Sequence, residues 1–179
     1  MQTKNILFTA LVACSSVASA GYAQVRNKCS FPVYAWSATP STTSQKSTLV
    51  PLNGFYQEAY QQLPSGVSRR YSKTYPDHLW YRMDADIFFQ GVSIKLSRYG
   101  DISALYNGSA LTQDQYTLDG GLVWYNLADT GSGHPFAGFK VTLASSDPSS
   151  TSIVWTNGTG PSQILNTGSG NNLTLTVCA

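Results

Sequence analysis

Val92-Ser93-Ile94-Lys95-Leu96-Ser97-Arg98 places an apolar residue at every second position until the run ends. That period puts one set of side chains on a buried face and the other in water, the pattern of a half-buried β-strand. Phe139-Lys140-Val141-Thr142-Leu143 repeats it, and so does Leu173-Thr174-Leu175-Thr176-Val177. Residues 33–37, 122–127 and 152–155 are further runs of β-branched and aromatic side chains, which favour a pleated surface. Between these runs stand Asn53-Gly54, Asn107-Gly108, Asp119-Gly120-Gly121, Asn157-Gly158 and Gly168-Ser169-Gly170-Asn171. Such pairs supply the positive φ angles that tight turns require. Helical signal is thin. Residues 57–62 have the composition for one turn, which Pro64 would end. Residues 37–47 form a polar Ser/Thr tract that reads as a surface loop. Short strands at regular spacing, with no heptad and no longer repeat, predict an all-β domain: a β-sandwich or flattened barrel.

The chain has 179 residues, of which 42% are hydrophobic and 11% charged, with a formal net charge of +2. That balance is too weak to build a basic stripe for nucleic acid or for an anionic membrane. Disorder is excluded as well, because 4 Trp, 11 Tyr and 7 Phe supply a core. The surface is therefore expected to be covered by Ser, Thr, Asn, Gln and Gly.

The first twenty residues read as a secretory signal peptide. Lys4 gives a cationic start, residues 6–13 form a short apolar run, and Ala18-Ser19-Ala20 is a small-x-small cleavage signal. Cleavage is expected after Ala20, with the bond after Ala23 as the alternative. The domain then spans 21–179, and nothing in it is long and apolar enough to hold it in a membrane. Cys14 leaves with the signal. Cys29 and Cys178 remain, and two thiols in an oxidising compartment predict one disulfide tying the first strand to the last. Closing so long a loop is worth about 5 kcal/mol at most in the chain-entropy treatment. Two buried free thiols are the alternative. Asn107-Gly108-Ser109, Asn157-Gly158-Thr159 and Asn172-Leu173-Thr174 are glycosylation sequons suited to the same compartment.

Several segments resemble a known family. Val25-Arg26-Asn27-Lys28-Cys29-Ser30-Phe31-Pro32-Val33-Tyr34-Ala35-Trp36-Ser37 is similar to the opening of fungal thaumatin-like proteins. The nearest pattern is that of the Blastomyces yeast-phase-specific family. Gly91-Val92-Ser93-Ile94-Lys95-Leu96-Ser97 resembles its central strand, and Leu122-Val123-Trp124-Tyr125-Asn126-Leu127-Ala128-Asp129 its Trp-Tyr segment. Gly133-His134-Pro135-Phe136 and Ser152-Ile153-Val154-Trp155-Thr156-Asn157-Gly158 follow in the same order. The resemblance spans about residues 25–178. It implies a thaumatin-like β-sandwich and a small secreted fungal protein, with no transferable activity.

Some thaumatin-like proteins bind or cut β-1,3-glucan through an acidic cleft, so the carboxylates require a reading. Glycan hydrolysis needs two carboxyls about 5 to 9.5 Å apart, one held protonated. Asp84 and Asp86 are the best local pair: if 80–88 is extended, they share a face with Arg82 at about 7 Å between Cα atoms. Glu58, the sole Glu of the chain, is a third candidate. The competing reading is a solvated polar face beside a salt-bridging Arg, and it is favoured here. For binding, Tyr75, Trp80, Tyr81 and Arg82 lie in an irregular aromatic and basic segment with Tyr71. Rings of this kind stack on sugar faces. Trp36, Trp124 and Trp155 fall inside strands and read as core.

Metal and cofactor chemistry find no motif. His78 and His134 lack ligand spacing, and no G-x-S-x-G marks a serine nucleophile. The expectation is a secreted non-catalytic protein, without cofactor, acting at the cell wall or a host surface through polysaccharide or protein contact. The alternative is a weak β-1,3-glucan hydrolase using Asp84, Asp86 and Glu58.

Overall fold

The computed structural model describes residues 21–39, 46–63 and 91–179. Eleven strands are present among them: β1 (Tyr22–Asn27), β2 (Val33–Ala38), β3 (Thr48–Val50), β4 (Phe55–Ala59), β5 (Val92–Ser97), β6 (Leu111–Asp119), β7 (Leu122–Thr130), β8 (Val141–Ser145), β9 (Ile153–Trp155), β10 (Leu165–Gly168) and β11 (Leu173–Val177). One 3₁₀ turn, Ile102–Leu105, is capped by the Asp101 carboxylate, which accepts from the Ser103 N–H. The strands form two sheets, ordered β4-β1-β11-β8-β9 and β10-β7-β6-β5-β2-β3. The predicted all-β sandwich is what the chain adopts.

Period-two alternation builds the core. Ala23 and Val25 of β1, Leu173, Leu175 and Val177 of β11, and Val141 and Leu143 of β8 line the inner face of the five-stranded sheet. Val33 and Ala35, then Val92, Ile94 and Leu96, then Val123, Tyr125 and Leu127 line the inner face of the other. All are at most 1% exposed. Burying a side chain of this size contributes about 1.5–3 kcal/mol, and the two faces interdigitate as in other sandwiches.

One pairing sets the connectivity. β1 runs parallel to β11, with Val25 opposite Leu175 and Asn27 opposite Val177, while every other strand pair among the described residues is antiparallel. Parallel strands end at the same end of a sheet. Cys29 and Cys178, just beyond the two strands, therefore meet and form the expected disulfide, with their Cα atoms 4.9 Å apart. Asn27 holds the neighbouring turn from inside the core. Its amide donates to the Phe31 and Val50 carbonyls at 2.9 and 3.0 Å and its Oδ1 accepts from the Cys29 N–H at 2.9 Å. A buried Asn is tolerated there because its polar atoms find partners.

Two sequence expectations are corrected. Residues 57–62 do not begin a helical turn: 57–59 belong to β4, antiparallel to β1, with Gln24 opposite Gln57. The Gln and Ala content suggested helix, but Tyr56, Glu58 and Tyr60 alternate inward and the open edge of β1 captures the segment. Residues 37–38, read as the start of a loop, finish β2 instead. A carboxylate-bearing strand was also missed. β6 lies inside the six-stranded sheet, between β5 and β7.

Candidate site: a carboxylate–tyrosine cluster between the sheets

The site is assembled by β4 from one sheet and β6 from the other. Alternation on β4 turns Tyr56 and Glu58 inward, and Tyr60 follows them. Alternation on β6 turns Thr112, Asp114 and Tyr116 toward the same interior. The cross-strand register places Asp114 between Ile94 of β5 and Leu127 of β7, with Ser37 of β2 beyond Ile94. The carboxyl of Asp114 thus projects from an apolar row.

Glu58 collects two phenols. Tyr56 Oη donates to its Oε2 at 2.6 Å and Tyr116 Oη donates to its Oε1 at 2.8 Å. Tyr116 Oη in turn accepts from the Gln61 N–H at 3.3 Å, and Gln61 Nε2 donates to Ser37 Oγ at 3.2 Å. The Tyr60 ring packs against the Tyr116 ring at 5.1 Å, and its hydroxyl donates to the Asn171 carbonyl at 2.9 Å. Hydrogen bonds to an ionised acceptor are the stronger kind, so Glu58 ties the edge of one sheet to the centre of the other.

Asp114 is the exception within this network. It is fully buried, and neither carboxylate oxygen has a hydrogen-bond partner among the described residues. Burial pushes its pKa up to about 8, and the charge of Glu58 pushes in the same direction. The phenols respond likewise. Burial, then the hydrogen bond and charge of Glu58, raises Tyr56 far above the ordinary phenol range. Burial and the Glu58 charge do the same to Tyr116, while burial and the Asp114 charge raise Tyr60 and Tyr125. The phenols therefore remain donors at physiological pH, and Asp114 keeps its proton below about pH 8. A carboxyl held protonated by burial near a second carboxyl is one half of what acid–base chemistry needs. Access to Asp114 is what the pair lacks, for Asp114 is fully buried whereas Glu58 is half-buried. A sugar could reach Asp114 only if the strands parted.

The predicted residues fall as follows. Glu58 is in the cluster; Asp84, Asp86, Tyr75, Trp80, Tyr81, Arg82 and His78 lie outside the described residues. His134 is 46% exposed at its side chain, and its Nδ1 lies 2.6 Å from Asp129 Oδ2. Thr112 Oγ1 donates to the other oxygen of that carboxylate. Burial raises the Asp129 pKa, and the bonds from Thr112 and His134 oppose the rise. No group of three metal-binding side chains occurs among the described residues. Asn107 is exposed, and its Oδ1 accepts from the Ser109 N–H and hydroxyl. Asn157 is exposed too, whereas Asn172 is half-buried and its Oδ1 accepts from the Tyr22 N–H at 3.2 Å. A half-open hollow of about 270 Å³ at the β6–β7 turn, lined by Gln62, Asp119, Gly120 and Gly121 among others, holds one carboxylate and no acid–base pair.

Asp114 and its tyrosines were not found by sequence reasoning. The available signal was the two-residue spacing of Thr112, Asp114 and Tyr116, which puts them on one face once β6 is known to be a strand.

The family follows from the chain itself. A model of the family described as Bys1, Blastomyces yeast-phase-specific protein, matches residues 10–90 and 73–179. The chain belongs to the Bys1 family. Among solved structures, the Bys1-family sandwich is similar to the crystal structure of the protein elicitor MoHrip2 from Magnaporthe oryzae. The match has a TM-score of 0.58 at 17% identity, covering 89% of this chain and 100% of that one. At that identity the likeness is one of fold. No curated protein sequence matches the chain.

Proposed function

We propose that this Bys1-family chain is a secreted, non-catalytic protein that acts at the cell wall or at a host surface by contact with polysaccharide or protein. The observation that carries this reading is the closure of the Glu58–Asp114 cluster. Both oxygens of Glu58 are held by phenols, the one from Tyr116 tying the two sheets together, and Asp114 is fully enclosed. The fold shared with a protein described as an elicitor adds weight, as does a signal-like N-terminus ahead of a disulfide-closed domain. No cofactor and no nucleic acid enter the proposal.

The test is a pull-down of the mature protein on insoluble β-1,3-glucan, chitin and mannan, and on a host-surface extract, with released sugar assayed in the same tubes. Retention without sugar release is the expected result. Oligosaccharide release would overturn it and favour the second reading, a weak β-1,3-glucan hydrolase. That reading rests on Asp114, a carboxyl that burial holds protonated near Glu58. Under it, Glu58→Gln or Asp84→Asn abolishes release while leaving a folded protein.

A further inference from the structure

The β3–β4 turn concentrates exposed apolar surface. Leu52, in the turn, is 51% exposed and Phe55, which opens β4, is 61% exposed, while Leu49, 51% exposed, lies on β3 of the other sheet. The turn holds these groups outward. The Gly54 N–H donates to the Pro51 carbonyl at 2.9 Å and Asn53 takes the left-handed conformation with φ 58°. A Cβ on Gly54 would meet the Pro51 ring at 2.6 Å, so the turn is packed closely against itself. Large exposed apolar groups gathered in one place mark contact surfaces.

Cations stand beside this tip. Phe55 lies opposite Arg26 across the β4–β1 register, and the Asn27 N–H donates to the Gly54 carbonyl at 3.0 Å. Lys28, the next residue, therefore emerges next to the turn. Arg26 and Lys28 are exposed on the outer side of β1, and neither makes an ion pair with a described carboxylate. Lys46, also exposed, leads into β3. From Gly21 to Leu63 the sequence holds a single acid, Glu58, and it faces the interior. A net charge of +2 gives no basic stripe overall, but the fold gathers positive charge around an apolar tip.

We propose that the β3–β4 turn docks on an anionic lipid membrane, with Leu52 and Phe55 entering the interface and Arg26 and Lys28 at the level of the headgroups. Charge complementarity selects the partner: basic residues beside a membrane are drawn to its negative surface, and inserted apolar side chains lose their contact with water. Exposed cations beside the apolar tip favour an anionic surface over a neutral glycan. Docking of this kind is peripheral. It goes beyond the wall or host-surface reading and does not depend on it.

The test is sedimentation of the mature, disulfide-bonded protein with phosphatidylcholine vesicles, with or without about one-third phosphatidylserine. Binding is expected only to the phosphatidylserine vesicles, and should be lost in about 0.5 M NaCl. Arg26→Gln with Lys28→Gln is expected to weaken partitioning roughly 30-fold. Leu52→Ser with Phe55→Ser should weaken it at low salt as well. All four positions are exposed, so unchanged melting curves establish that both variants are folded. Absence of binding, equal binding to neutral vesicles, or wild-type binding by both variants would overturn the proposal. So would a dimer in size-exclusion chromatography that the Leu52→Ser, Phe55→Ser variant dissolves, which would assign the tip to a second copy of the chain. A negative outcome leaves the polysaccharide pull-down unaffected, since the two assays share no ligand.

Discussion

At the scale of single residues, Asp114 couples stability to pH. Its pKa is raised from 3.8 to about 8, by burial first and by Glu58 second. The folded state therefore holds the proton more tightly than the unfolded chain does. The resulting stability is fully present below pH 3.8, falls as pH climbs toward 8, and is flat beyond. The slope is about 1.4 kcal/mol per pH unit, on the order of 5 kcal/mol across the window. Asp114→Asn preserves the shape and removes the titration. Urea unfolding at several pH values should show the variant gaining on the wild type steadily from pH 4 to pH 8. Parallel curves would mean that water or a rearrangement satisfies the carboxylate.

At the scale of elements, legibility tracked how each strand is buried. β5, β8 and β11 were readable because they are buried on one face and wet on the other, which writes the alternation into the sequence. β6 is enclosed on both sides. Thr112, Asp114 and Tyr116 face the interior, yet Gln113 and Gln115 on the opposite face are also buried, so no apolar period marks it. β4 was obscured differently, because its Gln and Ala content favours helix until the β1 edge supplies partners. Glu58 was legible as a candidate, but its partners were not: Tyr56 is near in sequence, whereas Tyr116 arrives from 58 positions away. The tie between β4 and β6 can be tested directly. Tyr116→Phe deletes the donor to Glu58 and the acceptor for the Gln61 N–H while keeping the ring on Tyr60. A loss of about 1.5–3 kcal/mol in urea unfolding is expected for a bond to a charged group. An unchanged midpoint would show that the tie contributes nothing.

At the scale of the whole molecule, the first and last strands close the fold by running side by side in the same direction. Bringing them together closes nearly the whole domain into one loop, and pairings so distant in sequence form slowly. The disulfide spans 149 positions and sits at the shared end of this pair. Its main effect is on the unfolded chain, which it denies the most extended conformations, and the β1–β11 register survives its loss on hydrogen bonds and buried side chains alone. Cys178→Ser should therefore keep the fold while lowering stability by about 2–5 kcal/mol. Melting in the presence and absence of reductant should reproduce that gap in the wild type and show none in the variant. Amide exchange should accelerate first at the β1–β11 end, where the Lys28 N–H donates to the Val177 carbonyl at 3.0 Å. An intact mass matching two free thiols in the secreted protein, or equal melting with and without reductant, would remove the disulfide from the account and leave the parallel pair as the sole closure.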